Sequence, residues 1–191
     1  MANDIFSEGT LDSLVAQAVA EIPDVDIRIL NVQNYHIPSD YVVVESKFSS
    51  DNYGSEIRGV IKPIIEEAEN KGCNPNLHTA LYEAVLNAHQ HGNKLNPDKK
   101  VKICYKITDN IAEIGVVDQG GKFKVAFIPF IFKHKRKDHE ANFIDFYRFA
   151  GLQKPATNNG TGTSFMHTYV DNVSYFRSEE GGLVVHITKS F

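Results

Sequence analysis

Hydrophobic and polar residues alternate along the first half of the chain in patterns that predict one strand and two helices. Residues 41–48 (YVVVESKF) are rich in β-branched side chains, which is typical of a strand. Apolar residues then recur at helical spacing from roughly Tyr53 to Asn70, and again over about residues 76–91. Pro63 lies inside the first of these runs, so we expect a kink there or a helix that restarts.

The second half of the chain predicts two hairpins separated by a long segment without a clear period. Residues 101–121 contain two β-type runs on either side of the turn pair Asp109-Asn110, and residues 173–189 repeat that arrangement. Between the hairpins, we predict that residues 122–157 are irregular. Residues 157–173 predict a glycine-containing turn that leads into a helix.

This order of elements predicts an α/β two-layer sandwich, with a mixed, mainly antiparallel sheet covered on one face by helices. The domain is expected over residues 41–191. Residues 1–40 differ in pattern, with a possible short amphipathic helix at 11–22 and strand-like alternation at 24–33. We therefore predict that residues 1–40 are an N-terminal extension, which could serve as an interaction or dimerisation arm.

Charge and composition restrict the function and the location of the protein. The formal net charge is -4 with a pI of about 6.0, so we expect no direct contact with nucleic acid. No apolar run approaches the roughly 20 residues of a membrane span, and no signal-peptide pattern is visible. Cys73 and Cys104 lack metal-binding spacing. We therefore predict a cytoplasmic protein with two reduced thiols.

Glu83, Asn87 and His91 are four residues apart, so on a helix they share one side, next to the apolar stripe. An isolated helical Glu is usually only solvated. Asn87 carries more information, because Asn is a poor residue in the middle of a helix and is costly there without a partner. His91 and Gly92 also fit an ordinary helix end, the interpretation we favour for both, although His91 stays a candidate for the site.

Two further segments contain residues that could bind a nucleotide. Asp118 ends a predicted strand and is followed by Gly120 and Gly121, and residues 160–163 (GTGT) precede a predicted helix. A lone Asp can accept a hydrogen bond from an exocyclic amine such as adenine N6. A glycine turn at a helix N-terminus offers N–H groups and a positive dipole to phosphates. Each segment alone could equally be a simple turn.

Together these segments could surround a nucleoside triphosphate. The Asn87 carboxamide is a suitable oxygen ligand for Mg²⁺, with phosphates and water completing the coordination. Glu83, one turn earlier, could orient or deprotonate a nucleophile that attacks the γ-phosphate. The order of the three segments, and the elements that carry them, give the prediction its specificity.

The three segments resemble the conserved boxes of the Bergerat-fold (GHKL) ATPases, which include gyrase, heat-shock and mismatch-repair ATPases and histidine kinases. EAVLNAHQHG (83–92) resembles the N-box, VVDQGGKF (116–123) the G1 box, and NGTGTSFMHTYVDNV (159–173) the G2 box. The best resemblance is to the anti-sigma-factor serine kinases of bacteria. It covers roughly residues 41–189 and leaves residues 1–40 outside.

The resemblance implies the histidine-kinase-like ATPase fold, with ATP and Mg²⁺ as cofactors. It makes Glu83 the general base and Asn87 the metal ligand, while Asp118 would read adenine and Gly120 would make room for the base. The other expected nucleotide-binding residues are His91, Gly121, Gly160, Thr161, Gly162 and Thr163.

Residues 122–159 would be the ATP lid, a mobile loop that closes over the nucleotide and that we call the lid segment. Arg148 is a candidate for a lid cation that meets the γ-phosphate, in competition with Lys133, Lys135, Arg136 and Lys137. The chain departs from the family pattern in having Lys122 where a further Gly is common, and Gly182-Leu183 where a Gly-Thr pair is common. The lid segment is also long and rich in aromatic residues, which could form a packed cluster or a binding surface.

The resemblance implies a serine/threonine protein kinase that phosphorylates a small antagonist (anti-anti-sigma-like) protein and also sequesters a sigma factor. The family resemblance further implies a homodimer. An alternative is a nucleotide-gated protein-binding module with little or no phosphoryl transfer. A third possibility, a histidine-kinase catalytic module, is disfavoured because residues 1–40 are too short for an upstream phosphoacceptor hairpin.

Overall fold

A computed structural model describes residues 24–155 and 159–191. The strands are β1 Asp24–Asp26, β2 Asn34–Tyr35, β3 Val42–Lys47, β4 Lys100–Ile107, β5 Ile111–Val117, β6 Lys122–Lys124, β7 Asn172–Ser178 and β8 Leu183–Ser190. The helices are α1 Tyr53–Asn70, α2 Asn76–Asn87, α3 Phe127–Lys135, α4 Phe146–Ala150 and α5 Gly162–Tyr169. Short 3-10 turns occur at Ile27–Ile29 and Asp138–Glu140, and a π-turn at Ala88–Gly92 follows α2.

A six-stranded sheet in the order β2-β7-β8-β5-β4-β3 forms one layer of the domain. β2 pairs with β7 in parallel, and the other neighbours in this sheet are antiparallel. The core lies between the sheet and the helices, where Ile61 of α1 and Leu81 of α2 are fully buried together with Ile114 of β5. The predicted two-layer α/β sandwich with a mixed, mainly antiparallel sheet is thus confirmed.

The helix across Pro63 is continuous, so the expected restart does not occur. Pro63 itself is exposed, while Ile61 and Ile64 on either side are buried in the core at 0% and 1% exposure. Burial of the apolar side chains before and after the proline therefore holds both halves of α1 against the sheet and offsets the lost backbone hydrogen bond.

The second predicted helix changes type before it ends. The α-helix stops at Asn87, and the π-turn that follows is closed by the Asn93 N–H donating to the Ala88 carbonyl at 2.7 Å, five residues back. This wider turn takes His91 and Gly92 off the α-helical period that relates Glu83 to Asn87. Single π-turns of this kind are frequent at functional sites.

The N-terminal residues that the structure describes pack onto the domain. β1 pairs antiparallel with β6, and Val25 and Ile27 are fully buried. The strand predicted for 24–33 is wrong beyond Asp26, because the Asp26 carboxylate accepts the Arg28 N–H at 3.0 Å and caps a 3-10 turn there. The helix predicted at 11–22 lies outside the described residues, and the role of residues 1–40 as an arm stays a prediction.

The lid segment contains β6, α3, a 3-10 turn and α4, so the prediction that residues 122–157 are irregular is wrong for the described part. Phe130 and Ile131 of α3 are fully buried, and Ile128 is nearly so. Tertiary burial stabilises this short helix, which is why the local sequence pattern did not reveal it. Across the described ranges, no helix has both the length and the apolar character that crossing a membrane requires.

Candidate functional site

A cavity of about 320 Å³ opens between α2 with its π-turn, the end of β5, the lid segment and the start of α5. Most of the residues predicted for nucleotide binding line it. These are Glu83, Asn87, His91, Asp118, Gly121, Gly160, Gly162 and Thr163. Three segments that are distant in sequence are thereby brought around one space.

Asp118 forms the closed end of this cavity and is only 5% exposed. Its Oδ1 accepts the backbone N–H of Gly120 at 2.7 Å and that of Leu183 at 3.1 Å, and its own N–H donates to the Leu183 carbonyl at 3.0 Å. Burial raises the pKa of this carboxyl to about 6, against the opposing effect of the two backbone donors. The carboxylate is therefore fixed in position by β8, the strand next to its own.

Three glycines allow the backbone to close around Asp118. A Cβ on Gly92 would overlap the Asp118 carboxylate, and one on Gly182 would overlap the Asp118 carbonyl oxygen. A Cβ on Gly120 would overlap the Gly92 carbonyl. Gly120 was predicted to make room for the base. In the structure it lies outside the cavity lining and permits close packing of two backbone segments instead.

The structure corrects the interpretation of Gly92 as an ordinary helix-end glycine. A C′ glycine is selected by its left-handed conformation, but Gly92 is not among the glycines with positive φ. Its missing side chain is needed because the Asp118 carboxylate occupies that space. Gly92 and Gly182 are thus residues that sequence reasoning missed, since only the fold brings them to Asp118.

Glu83 and Asn87 form the open end of the cavity and are both half-buried. Neither side chain makes a hydrogen bond to another residue in the ranges the structure describes. Desolvation raises the pKa of the Glu83 carboxyl above its ordinary value. A Cβ on Gly162 would overlap Glu83 Oε2, so this glycine lets α5 begin directly against the carboxylate.

The glycine turn before α5 supplies another part of the cavity wall, next to α2. Gly160 has a φ of +71°, where an L side chain would be strained, and a Cβ there would also overlap the Asp145 carboxylate. The Gly160 carbonyl accepts the Phe146 N–H at 2.8 Å. Thr163 is buried and lines the cavity, whereas Thr161, the N-cap residue of α5, does not. The first two residues of α5, Gly162 and Thr163, therefore belong to the cavity wall.

The predicted lid cation is not brought to the cavity. Arg148 lies on α4 outside the lining, and so do Lys133, Lys135, Arg136 and Lys137. Lys133 and Arg136 each pair with Asp138 at 3.4 Å. Within the described residues, the lysines that line the cavity are Lys94, Lys122 and Lys124, and Lys124 pairs with Asp24 at 2.8 Å.

Aromatic residues of the lid segment line the apolar side of the cavity. Phe127 lies 5.8 Å from Tyr175 between ring centroids, in an edge-to-face arrangement, and both line the space. Phe146, Tyr147 and Met166 extend this wall. The sequence left two interpretations of these aromatic residues, a packed cluster or a binding surface. In the structure the rings pack together and also line the cavity. An apolar wall in the same cavity as Asp118 suits a flat ring that carries an amine.

A divalent cation could be held at the open end with the help of Asn87. No group of three His, Cys, Asp or Glu side chains with metal-binding geometry occurs in residues 24–155 and 159–191. A cation here would thus take most of its oxygen ligands from a bound ligand and from water, as Mg²⁺ commonly does. The Asn87 carboxamide, which has no partner among the described residues, fits that role.

The fold and the cavity define a member of the nucleotide-dependent GHKL superfamily. Residues 64–189 match the model of the histidine kinase-like ATPase domain. The match covers more than half of the chain, so the chain belongs to this family. No curated protein matches the chain.

Proposed function

We propose that the chain binds Mg-ATP in the cavity, with adenine at Asp118 and the phosphates at the start of α5. The carrying observation is that Glu83 and Asn87, without partners among the described residues, line the same cavity as Gly160 and Gly162, with Gly162 directly against the Glu83 carboxylate. An unpaired polar group beside a core is costly, so a ligand that uses these groups explains their presence.

The closed end supports adenine as the base. An ionised Asp118 is a strong acceptor for the exocyclic N6 amine, and its fixed position reduces the cost of ordering on binding. Val116 and Leu183 give apolar contact beside it. The common Gly-Thr pair is replaced here by Gly182-Leu183, but the contact to Asp118 is made by the Leu183 backbone N–H and does not need a threonine.

The open end supports the phosphates and the metal. Backbone N–H groups at Gly162 and Thr163 and the positive end of the α5 dipole favour anionic groups. The Asn87 carboxamide would help to hold Mg²⁺ in this part of the cavity, and the ion would supply positive charge near Glu83.

We further propose that the protein is a serine/threonine protein kinase. Glu83 would take the proton of a Ser or Thr hydroxyl while that oxygen bonds to the γ-phosphorus and the bond to the β-phosphate oxygen breaks, releasing ADP. The raised pKa of the Glu83 carboxyl supports this role, because a stronger base accepts the proton more readily. We propose as partners a small anti-anti-sigma-like antagonist as acceptor, a sigma factor held in an alternative complex, and a second copy of the chain.

A nucleotide-gated binding module is the second candidate function. It is favoured by the absence of Arg148 and the KHKRK lysines from the cavity lining, because phosphoryl transfer usually has a cation at the γ-phosphate. Aromatic residues of the lid segment also line the cavity, so a bound nucleotide would contact the lid segment and could change a protein-binding surface formed by it.

The two functions are separated by measuring binding and transfer on the same preparation. ATP binding is measured by calorimetry, and transfer from γ-labelled ATP to antagonist proteins encoded near this gene is followed over time. Acid-stable, alkali-labile phosphate on the partner supports the Ser/Thr kinase, and acid-labile phosphate indicates a histidine kinase. Tight binding without transfer supports the binding module, and no binding of ATP contradicts both proposals.

A further inference from the structure

Three histidines meet at the contact between the lid segment and α5. His134 lies on α3, His139 in the 3-10 turn after it, and His167 on α5. Their ring centroids are 4.9 Å apart for His134 and His139, 5.0 Å for His134 and His167, and 5.8 Å for His139 and His167. The proposed nucleotide chemistry uses none of them.

Hydrogen bonds in this cluster attach the lid segment to α5. His134 Nδ1 lies 2.8 Å from the Phe130 carbonyl oxygen, and His134 Nε2 lies 2.9 Å from Ser164 Oγ. Ser164, which is on α5, also accepts the Ile144 N–H at 3.0 Å. The fully buried Ser164 side chain thus joins two separate parts of the lid segment to the helix that begins at the glycine turn.

The cluster is largely buried, and the described residues around it offer little to balance a positive charge. His134 and His139 are 1% and 2% exposed, and among the residues that the structure describes neither ring nitrogen of His139 has a hydrogen-bond partner. His167 Nε2 lies 3.1 Å from the Tyr175 hydroxyl. The charged groups that act on the cluster are Asp138, which favours a proton on His134, and Lys135, which opposes one on His167.

We propose that the cluster of His134, His139 and His167 forms a pH-sensitive latch, which holds α3 against α5 while the His134 and His167 rings are neutral and releases it when either ring takes up a proton. Opening of the latch would affect the cavity directly, because Tyr175 lines the cavity and is hydrogen-bonded to His167. Phe127, at the start of α3, also packs edge-to-face on Tyr175. Release would therefore move one wall of the nucleotide site.

The direction of the pH response follows from the packed and released states. Burial, reinforced by the neighbouring imidazoles, lowers the pKa of His134 to about 4 and lowers that of His167 further. In a released segment both rings would return toward the ordinary value of roughly 6.5. The latch is then fully closed above pH ~6.5 and weakens as the pH falls below it. At pH 5.5 the opening equilibrium should rise about tenfold for each histidine released.

Hydrogen exchange on the nucleotide-free full chain tests this proposal. Exchange of backbone amides in residues 127–150 is measured by mass spectrometry at pH 7.5, 6.5 and 5.5, and each rate is divided by the intrinsic chemical rate at that pH. The corrected opening constant should rise about 10- to 100-fold between pH 7.5 and 5.5. Amides of the β4–β5 hairpin serve as the internal reference and should show no such rise.

Substitutions separate a latch from simple packing. His134→Gln and His167→Gln can each raise opening at every pH through lost contacts, so the readout is the pH slope. Each single substitution should reduce the rise of the opening constant between pH 7.5 and 5.5 about tenfold, and the double variant should show no rise. His36→Gln is the matched control, because His36 is exposed and pairs with Glu179 away from the cluster. It should keep the wild-type slope.

A flat wild-type profile, or a slope that persists in the double variant, would overturn the latch. Stoichiometric Zn²⁺ binding that suppresses opening at pH 7.5 and is lost in the double variant would overturn it too, since the cluster would then be a metal site. No nucleotide is present in these measurements, so the result does not depend on whether the chain binds ATP.

Discussion

The two ends of the cavity are built in different ways. At the closed end, Asp118 is buried, holds two backbone N–H groups on one oxygen and is enclosed by glycines. At the open end, Glu83 and Asn87 are half-buried and have no hydrogen-bond partner among the residues the structure describes. The closed end is complete without a ligand, whereas the open end leaves polar groups for one.

From this difference we expect the closed end to recognise the base and the open end to take part in the reaction. A preformed acceptor at Asp118 selects the base without rearrangement, so its loss should weaken binding. A desolvated carboxylate at Glu83 has no structural partner to lose, so its replacement should change the reaction and leave the fold and the binding nearly intact. The predictions below run from the largest expected effect to the smallest.

Replacement of the carboxylate at the open end should have the largest effect. Glu83→Gln keeps the shape of the side chain and removes the base, so we expect phosphoryl transfer to fall about 10²- to 10⁴-fold. The dissociation constant for ATP should change by less than about threefold, a free-energy difference below about 0.7 kcal/mol. Single-turnover transfer and calorimetry measure the two quantities.

Glu69→Gln, at an exposed position of α1, is the control and should change neither quantity. Full transfer activity in the Glu83 variant would remove Glu83 from the role of base.

Replacement of the carboxylate at the closed end should weaken binding without harming the fold. Asp118→Asn can keep Oδ1 as acceptor for both backbone N–H groups but loses the charge, so ATP affinity should fall about 10- to 100-fold. Burial raises the pKa of Asp118 from its ordinary value of 3.8 to about 6 in the folded protein. Above pH 6 the ionised carboxylate therefore lowers the free energy of unfolding by up to about 3 kcal/mol. The melting temperature at pH 7.5 should therefore stay equal or rise.

The same raised pKa predicts a pH dependence of binding. Wild-type affinity should be full above pH ~6 and should decline as the pH falls through that value, because protonated Asp118 is a weaker acceptor for an amine. The decline should be absent in Asp118→Asn. Identical declines in both proteins would show that the charge of Asp118 does not contribute to nucleotide binding. A large loss of melting temperature in Asp118→Asn would show that this charge stabilises the fold.

A pair of glycine substitutions tests how tightly the closed end is packed. Gly92→Ala should destabilise the fold by about 1–3 kcal/mol, because its Cβ has to displace the Asp118 carboxylate. Gly59→Ala, on the exposed face of α1 with nothing within 4 Å of its Cβ, should stabilise by about 0.5–1 kcal/mol. Denaturant unfolding of both variants measures the difference, and equal effects would mean that Gly92 is an ordinary turn residue.

The hairpins of the sheet and several residues that line the cavity could be predicted from the sequence because they depend on local periods and spacings. The four-residue step from Glu83 to Asn87 predicted a shared helix side, and β-type runs around Asp109-Asn110 predicted a hairpin that the structure contains. Asp118 at a strand end was identified by position and residue type alone.

The parts that the sequence did not reveal depend on contacts between distant residues. Gly92 and Gly182 are 90 positions apart, and both contact Asp118: pairing of β5 with β8 brings Gly182 there, and the π-turn after α2 brings Gly92. α3 is stabilised by burial of Phe130 and Ile131 and has no clear period of its own. His134 and His167 likewise meet only because α3 packs near α5. Local patterns carry no information about such pairs.

The most direct test of a Mg-ATP site is calorimetric titration of ATP with and without Mg²⁺ into wild type, Asn87→Ala and the control Asn76→Ala. Asn76 is exposed at the first residue of the same helix. We predict that Mg²⁺ strengthens ATP binding to wild type and to the control, and that Asn87→Ala loses most of this gain while still binding the nucleotide. Absence of ATP binding by the wild type, or an unchanged Mg²⁺ dependence in Asn87→Ala, would contradict the proposed site.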